Sequence, residues 1–170
     1  MVPFRNPIWI PPDPGWFKIN CDAALNVAER LMGFGVVIRD SEGLVMASSS
    51  QKLVATYSPQ VAEAGAILHG LQLARDSGLY PCCIESDAEV VVGWINSQEG
   101  LCSDVSSIIS IRVLLNLLYC NSVKFVPRKA NQIAHVLAKN GLSCVEDMFW
   151  LEDFPHCVRS LVSVDCNRSL

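Results

Sequence analysis

Three carboxylates stand where apolar structure should run uninterrupted. Asp22 lies within Trp16–Ala23, a run that alternates large apolar and polar side chains as a strand does. Glu63 heads a stripe continued by Ala66, Ile67, Gly70, Leu71 and Ala74, the spacing of a helix face turned toward a sheet. Asp87 follows the run Cys82–Ser86, at the C-terminal end of a strand, where open α/β sheets hold their ligands. A charge in such surroundings is costly unless it is paired or bound to metal. Each residue has an ordinary role open to it: a turn residue for Asp22, a first-turn charge for Glu63, an N-cap for Asp87. Gathered at one sheet edge, the three would repel and raise one another's pKa unless a cation lay among them. Hard oxygen ligands of this kind suit magnesium or manganese rather than zinc.

The elements that must bring these groups together are legible. Five prolines between residues 3 and 14 forbid helix and predict an extended lead-in. The first strand is followed by GFGVVIRD and LVMASSS, two apolar strands flanking Ser41-Glu42-Gly43 as a hairpin. Ser58 can cap a helix with Pro59 in its first turn, and Ser77-Gly78 stops it. CCIES then reads as a strand, DAEVVVGWINS and IISIRVLLNLLYC as helices, and SVKFV as a strand ending at Pro127. Asn131 is placed to cap a last helix, QIAHVLAKN, closed by Gly141. The order β-β-β-α-β-α-α-β-α predicts three antiparallel strands and then parallel strands in a covered sheet. Residues 1–13 read as the lead-in, 14–145 as one domain, and 146–170 as an appendage packing on it through Trp150, Phe154 and Pro155.

Composition bounds the partners. A chain of 170 residues, 51% of them hydrophobic, can build a sizeable core and is not a disordered segment. No apolar run is long enough to cross a bilayer, and the first residues do not read as a secretory signal. A formal charge of −4 argues against holding nucleic acid by a broad basic surface, but leaves room for contact through metal ions. The eight cysteines are scattered, with no Cys-x-x-Cys pair, and read as buried free thiols of an intracellular protein, cytoplasmic or nuclear.

Five stretches in this order, KINCDAA, GFGVVIRDSEG, AEAGAILHGLQLA, IESDAEVVV and FVPRKANQIAHVLAKNGL, resemble the ribonuclease H-like domain, most nearly its plant retroelement type. The resemblance spans roughly Pro14 to Cys144, and the flanks WIPPDPGW and FWLEDFP are similar to those of that subgroup. It implies a five-stranded mixed sheet with helices on both faces, and an endonuclease that cuts the RNA strand of an RNA–DNA hybrid. In the family a first-strand aspartate bridges two divalent ions, a helix glutamate binds one of them near the ribose 2′-hydroxyl, and an aspartate after the fourth strand completes its ligands. Asp22, Glu63 and Asp87 match those positions. The resemblance therefore implies Mg²⁺ or Mn²⁺ as cofactor, with two ions about 4 Å apart activating water and neutralising the leaving oxygen. The expected product ends are 5′-phosphate and 3′-hydroxyl. Ser58, Gln60, Arg128 and Lys129 are candidate substrate contacts by position.

The chain also departs from that family. The fourth carboxylate, which normally heads the last helix, is replaced by His135, a softer ligand without negative charge, so a shift from magnesium toward manganese is expected. Ala23 stands where many relatives carry glycine, and SQEGLCSD, between the second and third helices, lacks the basic run that some relatives use to grip the hybrid. These departures predict weak binding by the isolated domain. They keep open a second reading, a catalytically weak or inactive module that binds nucleic acid or protein. A 3′–5′ exonuclease would want Asp-x-Glu in the first strand, which Asp22-Ala23-Ala24 does not supply. The chain reads as a monomer, alone or as part of a larger retroelement-derived polyprotein, with no membrane partner.

Overall fold

A computed structural model describes residues 7–55, 57–97 and 105–168. Strands β1 (Phe17–Asn26), β2 (Leu31–Arg39) and β3 (Val45–Val54) form an antiparallel meander. Helix α1 (Pro59–Ser77) leads to β4 (Cys82–Ser86), which pairs parallel to β1. Helices α2 (Glu89–Asn96) and α3 (Val105–Leu117) lead to β5 (Val123–Phe125), parallel to β4. Helix α4 (Gln132–Ser143) follows a short 3-10 turn over Arg128–Ala130. The segment SQEGLCSD falls on residues 97–104, of which all but Ser97 lie outside the described residues.

The sheet has six strands rather than five, in the order β5-β4-β1-β2-β3-β6. The added strand, β6 (Met148–Leu151), comes from the segment read as an appendage and pairs antiparallel with β3. MFWL is too short and too evenly apolar to declare a strand by alternation; the open edge of β3 supplies the partner that makes it one. After it, α5 (Arg159–Arg168) packs Val162 with Ile133 and Leu137 of α4 over Val37 of the sheet. The larger core, built from α1, α2 and α3, covers the opposite face.

Two close approaches fix where the helices lie. Gly35 of β2 stands opposite Asp22 in register, and a methyl group there would come within 2.2 Å of the Ala134 carbonyl. Only glycine lets α4 settle this low on the strand. Gly70 does the same for α1, since a methyl group would meet Cys21 Sγ at 2.5 Å. The helices bearing His135 and Glu63 are thus held against β1 from opposite sides.

The terminal segments close over a buried polar network. Arg39, 1% exposed, donates to Asp165 on α5 (Nη1 to Oδ2, 2.8 Å) and lies over the Trp9 ring, 3.6 Å from its centroid. Trp9 Nε1 in turn donates to Asn20 Oδ1 at 3.0 Å. Breaking a buried pair strands the remaining charge, and this dominates the energetics. Asp165→Ala is expected to destabilise the fold by about 3 kcal/mol in urea titration, with Asp165→Asn intermediate. A loss under about 0.5 kcal/mol would mean that α5 only rests on the surface.

Candidate active site

The β1–β4 ladder ends at Cys21↔Ser86, so Asp22 is the first residue of β1 beyond that pairing and Asp87 the first residue beyond β4. Both therefore stand where two adjacent parallel strands stop being joined, a natural place for a ligand. Asp22 is completely buried within the strand, not in a turn. Asp87 does not cap α2; the residue at that cap is Ala88, with no side-chain hydrogen bond. Glu63 lies in the second turn of α1, whose first turn carries no acidic residue.

Electrostatics links the three. Burial, and then the neighbouring Asp87 charge, raise the Asp22 pKa, while a hydrogen bond with His135 pulls it down. Burial, and then Asp22 and Asp87, push Glu63 up to about 9, against a hydrogen bond from the Ala23 backbone. Asp22 Oδ1 and Glu63 Oε2 are buried without a hydrogen-bond partner. Crowded carboxylate oxygens of this kind can be answered by a hard divalent cation or, since Glu63 is pushed up and hydrogen-bonds Asp22, by a proton held between the two carboxyls.

His135 Nδ1 lies 2.7 Å from Asp22 Oδ2. Arg128, half exposed on its 3-10 turn, donates from Nε to Asp87 Oδ2 and brings Nη1 within 2.8 and 3.1 Å of the two His135 ring nitrogens. A guanidinium can only donate, so the ring nitrogen without a proton receives it. The groups form a chain, Asp22–His135–Arg128–Asp87. Among the described residues no three His, Cys, Asp or Glu side chains are gathered as a ready-made metal centre, and the Asp87 carboxylate faces Arg128 and Asn131.

Asn131 occupies the N-cap position of α4 but does not cap it with its side chain. Its amide donates instead to the Cys21 carbonyl (2.9 Å) and to Asp87 Oδ1 (3.2 Å), and its oxygen accepts from Asn20 Nδ2 (3.1 Å). Asn20 also donates to Glu85 Oε2, which joins Asp87 to the network beneath Trp9 and Arg39. Sequence reasoning missed this support. Its signal was present in β1, where Lys18, Asn20 and Asp22 alternate on one face as three buried polar groups.

The proposed substrate contacts divide. Ser58 Oγ accepts from the Val61 N–H and caps α1, as its sequence position predicts. Gln60 and Glu63 line a cleft of about 190 Å³ with Ala88, Glu89, Val90 and Val91. Lys129 is exposed beside Arg128.

Comparison with known proteins agrees with this architecture. Residues 20–141 match the family described as reverse transcriptase-like. An Arabidopsis thaliana protein, provisionally named a ribonuclease H protein, is 27% identical over 158 residues; the match covers 92% of this chain but a quarter of that protein's length. Ribonuclease H1 of the archaeon Halobacterium salinarum superposes with a TM-score of 0.70 at 21% identity, over 76% of this chain and 98% of its own. LC11 ribonuclease H1 from compost, solved with an RNA/DNA hybrid, gives 0.65 at 19% identity, over 75% and 96%. The fold is ribonuclease H-like.

Proposed function

The chain belongs to the reverse transcriptase-like family, and on that premise we propose that it is a divalent-metal-dependent endoribonuclease acting on the RNA strand of RNA–DNA hybrids. The observation that carries this reading is the buried, unpartnered pair of oxygens on Asp22 and Glu63, with Asp87 beside them at the ends of β1 and β4. Without an ion, a proton held on Glu63 relieves the two crowded carboxyls; a divalent cation would replace that proton and engage both oxygens.

Asp22, Glu63 and Asp87 would hold Mg²⁺ or Mn²⁺, with His135 as a fourth and softer ligand. When bound, such ions lower the pKa of a water molecule and neutralise charge on a leaving oxygen. The chain's own residues do the rest. Asn131 fixes Asp87 by donating to its Oδ1 while accepting from Asn20. His135 holds one Asp22 oxygen and leaves the other open. Gln60 lies beside Glu63 along the α1–α2 cleft and is placed for contact near the sugar, where the 2′-hydroxyl distinguishes RNA from DNA. Lys129 supplies a phosphate contact of modest, salt-sensitive strength.

The plant relative named for ribonuclease H and the hybrid-bound structural neighbour support this substrate class. The chain spans a quarter of that plant relative's length and matches a family described as reverse transcriptase-like, and on the present reading it acts inside the cell as part of a larger retroelement-derived polyprotein. Residues 14–145 are proposed as the catalytic domain. Among the described residues no helix is long and apolar enough to cross a membrane.

The experiment is incubation with a fluorescent RNA–DNA hybrid in Mg²⁺ or Mn²⁺, alongside Asp22→Asn. Cleavage leaving 5′-phosphate and 3′-hydroxyl ends, absent in the variant, is expected. A binding module without catalysis would retain the hybrid uncut, and His135 together with the closed Arg128–Asp87 pair favours that second reading. Cutting that survives Asp22→Asn would assign the activity elsewhere.

A further inference from the structure

Arg128 is a cation lodged at the mouth of an acidic cluster, and the ion-site reading alone does not require it. Its guanidinium pairs with Asp87, contacts His135, and feels the charges of Asp22, Asp87 and Glu63. Arg128 and His135 are also the groups that favour the charged form of Asp22. The Arg128 side chain is 50% exposed, whereas that of Asp87 is 7% exposed, so the arginine can leave toward solvent and the carboxylate cannot. The turn that carries Arg128 is anchored on both sides, by Pro127 ahead of it and by buried Ala130 and Asn131 behind it.

We propose that Arg128 is the resident counter-cation of the carboxylate cluster, held on Asp87 until a divalent ion displaces it, so that its departure sets the protein's affinity for the ion. The inference rests on the reading of Asp22, Glu63 and Asp87 as the ion ligands. Arg128 holds Asp87 Oδ2 and Asn131 holds Oδ1, so an ion arriving at that carboxylate competes with the guanidinium for Oδ2 and is repelled by its charge until the Arg128 pair opens. A ligand that has to overcome an occupied state binds more weakly by the population of that state. The arrangement also explains how three clustered acids coexist in the ion-free fold, since the guanidinium supplies the opposite charge to all three.

The test is Mn²⁺ titration by calorimetry on the whole chain, comparing wild type, Arg128→Gln and Arg128→Lys, with urea unfolding in chelator alongside. Arg128→Gln is expected to bind Mn²⁺ about tenfold more tightly, equivalent to ~1.4 kcal/mol, and to unfold at lower urea when the ion is absent. Arg128→Lys keeps the charge but loses the planar fork, so it should fall between the two. Unchanged or weaker Mn²⁺ affinity in folded Arg128→Gln overturns the proposal, whatever happens to activity. The two ideas fail differently. If Mn²⁺ binds both chains equally and is lost in Asp22→Asn, only the arginine's role falls; if neither chain binds Mn²⁺, the ion site falls with it.

Discussion

Replacing Glu63 with glutamine should stabilise the ion-free protein and at the same time lower hybrid hydrolysis by roughly 10³-fold. The two effects share one cause. Burial and the charges of Asp22 and Asp87 push the Glu63 pKa from 4.5 up to about 9, so at neutral pH the fold holds a proton that the unfolded chain has released. A group raised in the folded state lends its full stability below its unfolded pKa, near 4.5 here, and loses it as pH climbs through about 9. In chelator, the wild type should therefore weaken steadily from about pH 5 to pH 9. Glutamine keeps the shape without the charge, flattening that slope and adding about 2 kcal/mol near pH 8. Saturating Mg²⁺ should narrow the gap by stabilising wild type more than the variant. Loss of an ion ligand removes several kcal/mol of transition-state stabilisation, the source of the rate estimate. Parallel stability curves for the two proteins in chelator would show that neither burial nor the neighbouring charges raise the Glu63 pKa, and would remove the electrostatic support for the ion site.

Stability and function are thus opposed at Glu63, and that opposition is what made the site readable. A carboxylate on the sheet-facing stripe of α1 contradicts the amphipathic pattern around it, as Asp22 contradicts the apolar strand it interrupts. Local pattern also carried the hairpin, the Ser58 cap and the alternation of later strands with helices, because each is fixed by residues within a few positions of one another. What the sequence left hidden was set by partners distant along the chain. Strand β6 exists because β3 offers an open edge, and α4 runs past Gly141 to Ser143, the glycine serving close contact with the Gln51 backbone rather than helix termination. Asn131 sits where a cap belongs, but its amide is recruited by Asp87 and the Cys21 carbonyl. Arg128 reads from the sequence as a candidate substrate contact ahead of the last helix; only the meeting of that turn with the end of β4 gives it a carboxylate to hold.

His135→Asp should raise the Mg²⁺-supported rate by about tenfold while making the ion-free protein less stable. The imidazole occupies one oxygen of a fully buried Asp22 and offers no charge to a hard cation. A carboxylate at the same place on α4 would supply a negative oxygen ligand, and magnesium responds to that more than manganese does. The ratio of Mn²⁺ to Mg²⁺ initial rates should accordingly fall from wild type to variant. Without ions the exchange works in reverse, since Asp22 would lose its hydrogen-bond partner and gain a like charge, with Arg128 left as the nearest counterweight. Urea unfolding in chelator should then show a loss on the order of 1–2 kcal/mol, recovered on adding Mg²⁺. His135→Ala separates ligand from bystander: a histidine that merely fills space would leave both metal-dependent rates within about twofold of wild type. No gain in magnesium activity for His135→Asp, in a protein whose Mn²⁺ activity persists, would mean that the head of α4 does not reach the ion.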